Sequence, residues 1–305
     1  MSHSPGGPPL SNSTRTLSRS ALATTLLLVA IGGFTRGSDS GYGCEDRWPL
    51  CENGLAGGLL PRADYHMIVE WTHRWTASLV GLLAIATAVT AWRHHRGRPI
   101  IAKSAVAAVV VIGIQAWVGR LVVKGDLDAD LVSVHLAISM AVVALLTIVV
   151  VATGTQPHPK DQIQPQRNQG WTTLLALAAA GALTILLLGS YVHNLYISGW
   201  PLVGDVFLPR SSNRLMMVHY LHRAVAGVGI LYLVYLSREV IRRQRPTTER
   251  VLVHCAGLAY LVNVGLGAAN VFTRVDSSLV IAAHLLMAAL VWTTLVAATT
   301  MASTR

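Results

Sequence analysis

The run VEWTHRWTASLVGLLAIATAVTAW, residues 69–92, places a carboxylate, an imidazole and a guanidinium at one end of a long apolar stretch. About 20 apolar residues are enough for a helix to cross a hydrocarbon core of about 30 Å. Ionisable side chains inside such a span are costly and usually mark a functional site. The run therefore predicts a transmembrane helix with a site near one membrane surface, built from Glu70, His73 and Arg74.

Further apolar runs of similar length lie on both sides of this one. The chain has 305 residues, of which 52% are hydrophobic and only 12% charged, with a mean hydropathy of +0.50. These values are typical of a membrane protein. We predict an all-α polytopic protein with eight transmembrane helices, near residues 20–36, 67–92, 100–123, 130–153, 171–193, 214–237, 250–273 and 277–301.

The positive charges indicate the orientation of the chain in the membrane. The net charge of +10 comes from residues in short loops, not from one basic face, so nucleic acid is not an expected partner. Basic residues are dense at 93–103 and 238–250, and short loops of this kind usually stay in the cytoplasm. We expect a cell (inner) membrane protein in contact with lipid, with both termini cytoplasmic.

An internal repeat divides the chain into two halves. The motif EWTHR at 70–74 aligns with HYLHR at 219–223, and the next aligned histidine follows 62 positions later in each half. Four spans per half imply a parallel repeat of two four-helix bundles. We predict a disordered cytoplasmic tail at 1–19, an N-terminal half at 20–155, a cytoplasmic linker at 156–170 and a C-terminal half at 171–301.

Four histidines occupy matching places in this repeat: His73, His135, His222 and His284. Under the predicted topology all four lie one or two turns below the outer surface. Paired imidazoles on facing helices suit the two faces of a haem iron, whereas zinc prefers a tetrahedral set of ligands. The pattern favours one haem per half, on the outer side of the membrane. The alternative is that the histidines only form interhelical hydrogen bonds.

Each half also has an arginine directly after its first histidine. Arg74 and Arg223 are expected to bind haem propionates by charge-assisted hydrogen bonds, or else to reach toward lipid headgroups.

The halves differ one turn before that histidine, where Glu70 aligns with His219. Glu70 shares a helix face with His73, so it is a candidate general acid or base beside the first haem. Alternatively, it only orients a neighbouring side chain at the membrane surface. His219 is a competing ligand in the second half, although the alignment favours His222.

The chain has three cysteines. Cys44 and Cys51 lie in the first predicted outer loop, where a disulfide is chemically reasonable, and free thiols or a transient redox pair are the alternative. Cys255 lies inside the seventh span, where we expect a small buried apolar residue.

The motifs together resemble the haem A synthase family. The segments that carry the resemblance are GGFTRGSDSGYGCEDRWPLC, EWTHRWTASLVG, VHLAISM, HRAVAG and AAHLLMAALV, and it covers about residues 20–300. It implies an eight-helix membrane oxidoreductase that converts the ring D methyl group of haem O into a formyl group, by successive hydroxylations. The product, haem A, serves cytochrome oxidase.

The resemblance also implies roles for individual residues. Glu70, His73 and His135 would form the catalytic half that binds the haem O substrate. His222 and His284 would hold a resident haem b. Cys44 and Cys51 match an extracytoplasmic cysteine pair. The second half lacks the cysteine pair that some members possess, and His219 is an additional imidazole.

Two other functions remain compatible with the residues: a di-haem membrane cytochrome that only transfers electrons, and a haem carrier without catalysis. Haem O is poorly soluble, so direct transfer from haem O synthase is a reasonable expectation. An electron-transfer partner is also expected.

Overall fold

The computed structural model describes residues 10–155, 165–191, 197–201 and 214–304, the side chains of 10–12 and 165–168 excepted. Within these ranges the chain forms eight long helices, all of them apolar enough to cross a membrane. The prediction of an all-α, multi-pass membrane protein is confirmed. The helices are α1 Leu10–Gly37, α2 Tyr65–His94, α3 Pro99–Lys124, α4 Ala129–Gly154, α5 Pro165–Tyr191, α6 Arg214–Arg242, α7 Thr247–Phe272 and α8 Ser278–Ser303.

Helix α1 begins ten residues before its predicted start, at Leu10. The disordered tail predicted for residues 1–19 is therefore wrong for its second half, and residues 1–9 lie outside the described ranges. The polar composition was misleading because Thr14 and Ser18 are fully buried on one face of the helix. Ser18 also donates a hydrogen bond to the carbonyl of Arg15 at 3.0 Å. Most of the predicted linker at 156–170 is likewise outside the described residues, and α5 begins at Pro165.

Short polar residues and a proline determine where several of the helices begin. Asp64 accepts a hydrogen bond from the amide of Met67 and caps α2. Asp128 and Ser277 do the same at the starts of α4 and α8, which are matching positions in the two halves. Pro99 occupies the first turn of α3, where its missing N–H costs nothing. Such caps satisfy amide groups that the first helical turn leaves unpaired.

Within each half, the four helices contact one another in a closed ring. Helix α1 packs on α2 and α4, and α3 packs on α2 and α4, while α5 to α8 repeat this arrangement. The halves meet along α1, α4, α5 and α8. The core of this interface consists of Val29, Met140, Val143, Leu186 and Ala289. The arrangement is compatible with the predicted pair of four-helix bundles.

Hydrogen bonds also join the two halves. Trp292 in α8 donates its indole N–H to the carbonyl of Met140 in α4 at 2.9 Å. The hydroxyls of Ser133 and Ser190 lie 3.0 Å apart between α4 and α5. Leaving a polar group unpaired in an apolar surrounding costs free energy. These contacts therefore favour one relative placement of the two halves.

The outward faces of the helices are apolar, as expected for surfaces in contact with lipid. On α7, Val251, Leu258 and Val262 are about half exposed. Cys255 lies on this same face and is exposed, so the prediction that it is buried is wrong. An apolar span does not reveal which of its faces the bundle covers.

Candidate functional site

A cavity of about 1030 Å³ opens between the helices, with walls that are mostly apolar. The four predicted histidines all line it, and so do Glu70, Arg74, His219 and Arg223. The structure therefore brings together every site residue that the sequence singled out within the helices. Cavities of this size hold cofactors and comparably large organic ligands.

The histidines occupy equivalent depths in the bundle. His73 and His222 lie about two turns into α2 and α6, and His135 and His284 lie slightly less deep in α4 and α8. All four helices start from the same end of the bundle, opposite to the chain termini. Among the described residues, no three His, Cys, Asp or Glu side chains come together as a metal-binding group.

In the second half, backbone carbonyls orient both imidazoles. His222 Nδ1 lies 2.9 Å from the carbonyl oxygen of Ile185, and His284 Nδ1 lies 3.0 Å from that of Asn263. A carbonyl only accepts, so Nδ1 donates and the proton is held on that nitrogen. Nε2 then carries the lone pair, as a metal-ligating histidine requires.

The first-half imidazoles are held differently. His73 Nδ1 and His135 Nδ1 are buried and have no hydrogen-bond partner within the described ranges. Gln115 contacts the backbone carbonyl of His135 and the hydroxyl of Ser139, one turn deeper in the cavity. The ring of His135 itself is not held by this amide.

Glu70 is buried, with 3% of its surface exposed, and both carboxylate oxygens have partners. Oε2 accepts a hydrogen bond from the backbone amide of Cys44 at 2.6 Å. Oε1 accepts two from Arg74, at 2.9 Å and 2.5 Å. Glu70 therefore orients a neighbouring side chain and a loop, as the second of its two predicted roles requires, while it also faces the cavity.

The two arginines bind the loop that precedes their own helix. Arg74 Nη1 donates to the carbonyls of Arg47 and Leu50, at 2.7 Å and 3.1 Å. Arg223 donates to the carbonyls of Gly199 and Ile197. Propionates or lipid headgroups were the expected partners, and the structure adds loop carbonyls as partners of both arginines. Each arginine thus holds a Trp-Pro segment at the cavity.

A disulfide links Cys44 to Cys51, which confirms the pairing suggested by their spacing. Both cysteines are almost completely buried and pack with Met67 and Trp71 of α2. Backbone atoms come close here, since a Cβ on Gly43 would lie 2.2 Å from the carbonyl oxygen of His66. The disulfide therefore closes the loop before α2 on itself, whereas hydrogen bonds from Cys44 to Glu70 and from Arg74 to loop carbonyls, together with close packing, hold this loop against α2.

His219 lines the cavity, but its Nδ1 has no hydrogen-bond partner in the part of the chain that the structure describes. The contact with Ile185 is made by His222. The alignment of His222 with His73 is supported by the residue that follows each of them, since Arg74 and Arg223 both donate to carbonyls of the loop before their own helix.

The family model COX15-CtaA, described as cytochrome oxidase assembly protein, matches residues 15–296. The chain belongs to this family. Membership in the COX15-CtaA family extends over both halves and includes every residue that lines the cavity.

Similar curated proteins include several that are named heme A synthase. The protein from Shouchella clausii is 30% identical over 81% of this chain and 81% of its own length. Those from Alkalihalophilus pseudofirmus and Symbiobacterium thermophilum are 28% and 29% identical, over 82% and 75% of this chain and 84% and 77% of their own lengths.

Sequence reasoning missed several residues that shape the site. Gln115 and the backbone carbonyl of Asn263 were not singled out, because neither forms a motif with the histidines. A signal was nevertheless present in the repeat. Gln115 and Gly119 in α3 correspond to Asn263 and Gly267 in α7, each 148 positions later in the chain. The amide partner of Glu70 left no sequence signal, since any residue except proline has a backbone N–H at position 44.

Proposed function

We propose that this protein is an oxidoreductase that converts the ring D methyl group of haem O into the formyl group of haem A, for cytochrome oxidase assembly. The proposal rests on family membership over nearly the whole chain together with four cavity-lining histidines in matched positions. The relatives named heme A synthase support the same reaction.

A haem b in the second half would be held by His222 and His284. These residues fit the group, because each Nδ1 bonds to a carbonyl and each Nε2 remains for the iron. When bound, this haem supplies redox chemistry that amino-acid side chains lack. The role of Arg223 would be to hold the 197–199 backbone at the edge of the haem site.

The substrate, haem O, would be bound in the first half by His73 and His135. Their Nδ1 atoms lack the carbonyl partners that orient the second pair. Such partners strengthen metal ligation, so imidazoles without them suit a group that must enter and leave at each turnover. Arg74 would contribute by fixing the disulfide loop against the site.

Glu70 would transfer protons during oxidation of the methyl group. The aligned position in the second half is His219, so only the first half has a carboxylate here. Glu70 lines the cavity and lies on the helix that carries His73. To accept or release a proton, Glu70 must weaken its bond with Arg74 or with the amide of Cys44. Its position at the junction of loop and helix would let loop movement accompany proton transfer.

The orientation we propose has both termini in the cytoplasm and the cavity toward the outer side of the cell membrane. Eight crossings place both termini on one side, and the histidines are at the opposite end of the bundle. Arg93, Arg96 and Arg98 lie at the terminus side, in agreement with the positive-inside rule. Haem O synthase and an electron-transfer protein are the proposed partners.

A di-haem cytochrome is the second candidate function. The observation that favours it is the ion pair between Glu70 and Arg74, which gives the carboxylate a structural task. The two functions differ in their products. Membranes from cells that supply haem O and express this protein should contain haem A, detected by extraction and chromatography. Unchanged haem O, with haem b bound to the purified protein, would instead support the cytochrome.

A further inference from the structure

We propose that Gly32, Gly119, Gly189 and Gly267 are positioning residues that set the place of the four imidazole rings in the cavity. We call them the histidine-facing glycines. The inference rests on the proposed haem ligation and assigns residues that neither the histidine pattern nor the repeat motifs identified.

Each of these glycines lies on the helix that precedes its histidine in the chain, and each faces the same ring atom. A Cβ added to Gly32 would lie 3.2 Å from Cε1 of His73, and one on Gly119 would lie 3.1 Å from Cε1 of His135. The corresponding distances are 2.9 Å from Gly189 to His222 and 3.2 Å from Gly267 to His284.

The contact is specific to these positions. Gly113, Gly181 and Gly265 lie on the same helices as three of the histidine-facing glycines, six, eight and two positions away. A Cβ at any of these three would have no neighbour within 4 Å. Close packing therefore does not require glycine at every one of these positions. The four histidine-facing glycines are the ones that contact an imidazole ring.

The ring atom in contact explains the effect on ligation. Cε1 is bonded to both ring nitrogens, so a methyl group pressed against it displaces Nε2 along with the rest of the rigid ring. For His222 the added Cβ would also lie 3.6 Å from Nε2 itself. Metal–ligand distances tolerate only about 0.2 Å of change, so a small displacement weakens the bond.

In the second half the same helical turn supplies the carbonyl that orients the ring. Ile185 lies one turn before Gly189, and Asn263 lies one turn before Gly267. Their carbonyls accept from the Nδ1 atoms of His222 and His284. The glycine thus sets how closely the imidazole approaches the neighbouring helix, and the carbonyl fixes the rotation of the ring.

The test compares Gly189→Ala with Gly181→Ala in purified full-length protein that carries its resident haem. We expect Gly189→Ala to lose at least half of the low-spin ferric signal in electron paramagnetic resonance. Gly181→Ala should match the unaltered protein, although both variants place a methyl group on α5. Circular dichroism and yield report whether each variant folds.

A second pair of variants, Gly267→Ala and Gly265→Ala, tests the inference even if Gly189→Ala does not fold. Gly267→Ala makes a looser contact, so we expect it to retain its haem and to show shifted low-spin g-values, which report the orientation of the imidazole planes. Gly265→Ala should leave the g-values unchanged.

His222→Ala provides the reference for ligation. Should His222→Ala lose the low-spin signal while both histidine-facing variants match their controls, the glycines have no positioning role and the ligand assignment stands. An unchanged low-spin signal in both His222→Ala and His284→Ala would overturn the ligand assignment, and the inference with it.

Discussion

The two halves share helices, histidines and loop-binding arginines, yet they stabilise different parts of their sites. In the second half, the carbonyls of Ile185 and Asn263 orient the imidazoles. In the first half, the imidazoles lack such partners within the described ranges, and the stabilising contacts include those that hold the loop before α2 through Cys44 and Glu70.

Under the proposed function, this difference would suit the two halves to different purposes. A resident cofactor benefits from ligands with a fixed orientation, because preorganised ligands bind more tightly. A site that must exchange its substrate benefits from a well-defined entrance and less constrained ligands. The comparison therefore predicts that changes in the two halves will separate haem retention from turnover.

The largest effect should come from His222→Ala or His284→Ala, which removes one of two proposed iron ligands. We expect the resident haem content to fall more than about tenfold, since even partners of metal ligands are worth 10- to 100-fold in affinity. His73→Ala is the matched control and should retain this haem. The ratio of haem to protein in purified samples measures both, and equal losses in the two halves would contradict the division of roles.

Glu70→Gln should lower the rate of haem A formation about a hundredfold, the usual contribution of a positioned acid or base. The glutamine side chain keeps the shape of glutamate, and its oxygen can accept the hydrogen bond from the backbone of Cys44. It does not accept and release a proton as a carboxyl group does. Haem O or a partly oxidised product should accumulate, while the second-half haem remains. Chromatography of haems extracted from membranes measures each species.

Arg74→Lys separates proton transfer from loop positioning. Lysine keeps a positive charge beside Glu70 but does not reproduce the fork that reaches the carbonyls of Arg47 and Leu50. A much smaller loss than in Glu70→Gln supports proton transfer. Equal losses in the two variants would show that Glu70 acts mainly by holding the loop.

Replacing both Cys44 and Cys51 with serine should destabilise the loop before α2 by about 2.5 kcal/mol, because the loop that the disulfide closes is short. Hydrogen exchange of the loop amides should accelerate, and turnover should fall. The spectrum of the second-half haem should not change, since the cysteine pair belongs to the first half alone. A spectral change would mean that the halves are more strongly coupled than their separate contacts suggest.

The smallest effect concerns the end of the second half that is remote from the histidines. Trp171 donates its indole N–H to Glu249 at 2.8 Å, and Glu249 also pairs with Arg245. Trp171→Phe should cost about 1.5 kcal/mol, the worth of a hydrogen bond to a charged group. Thermal unfolding in detergent should show a drop of a few degrees. Haem content and rate per folded molecule should stay the same.

Much of the architecture could be predicted from the sequence, because a membrane span must be long and apolar. The eight helices, the disulfide and the matching depths of the four histidines were all expected, whereas their placement on one common cavity was not. The start of α1 was missed because the serine and threonine residues near Thr14 are buried instead of solvated. The exposure of Cys255 was missed because hydropathy does not distinguish the two faces of a wholly apolar helix.

The sequence by itself determined the helices, the repeat and the identity of the titratable groups, since these depend on composition and on the spacing of residues along the chain. Only the tertiary structure decided the partners of those groups: Cys44 and Arg74 for Glu70, loop carbonyls for Arg223, and Gly189 for His222. Backbone amides, carbonyls and the space above a glycine leave almost no trace in the sequence. Their positions follow from the way the helices pack.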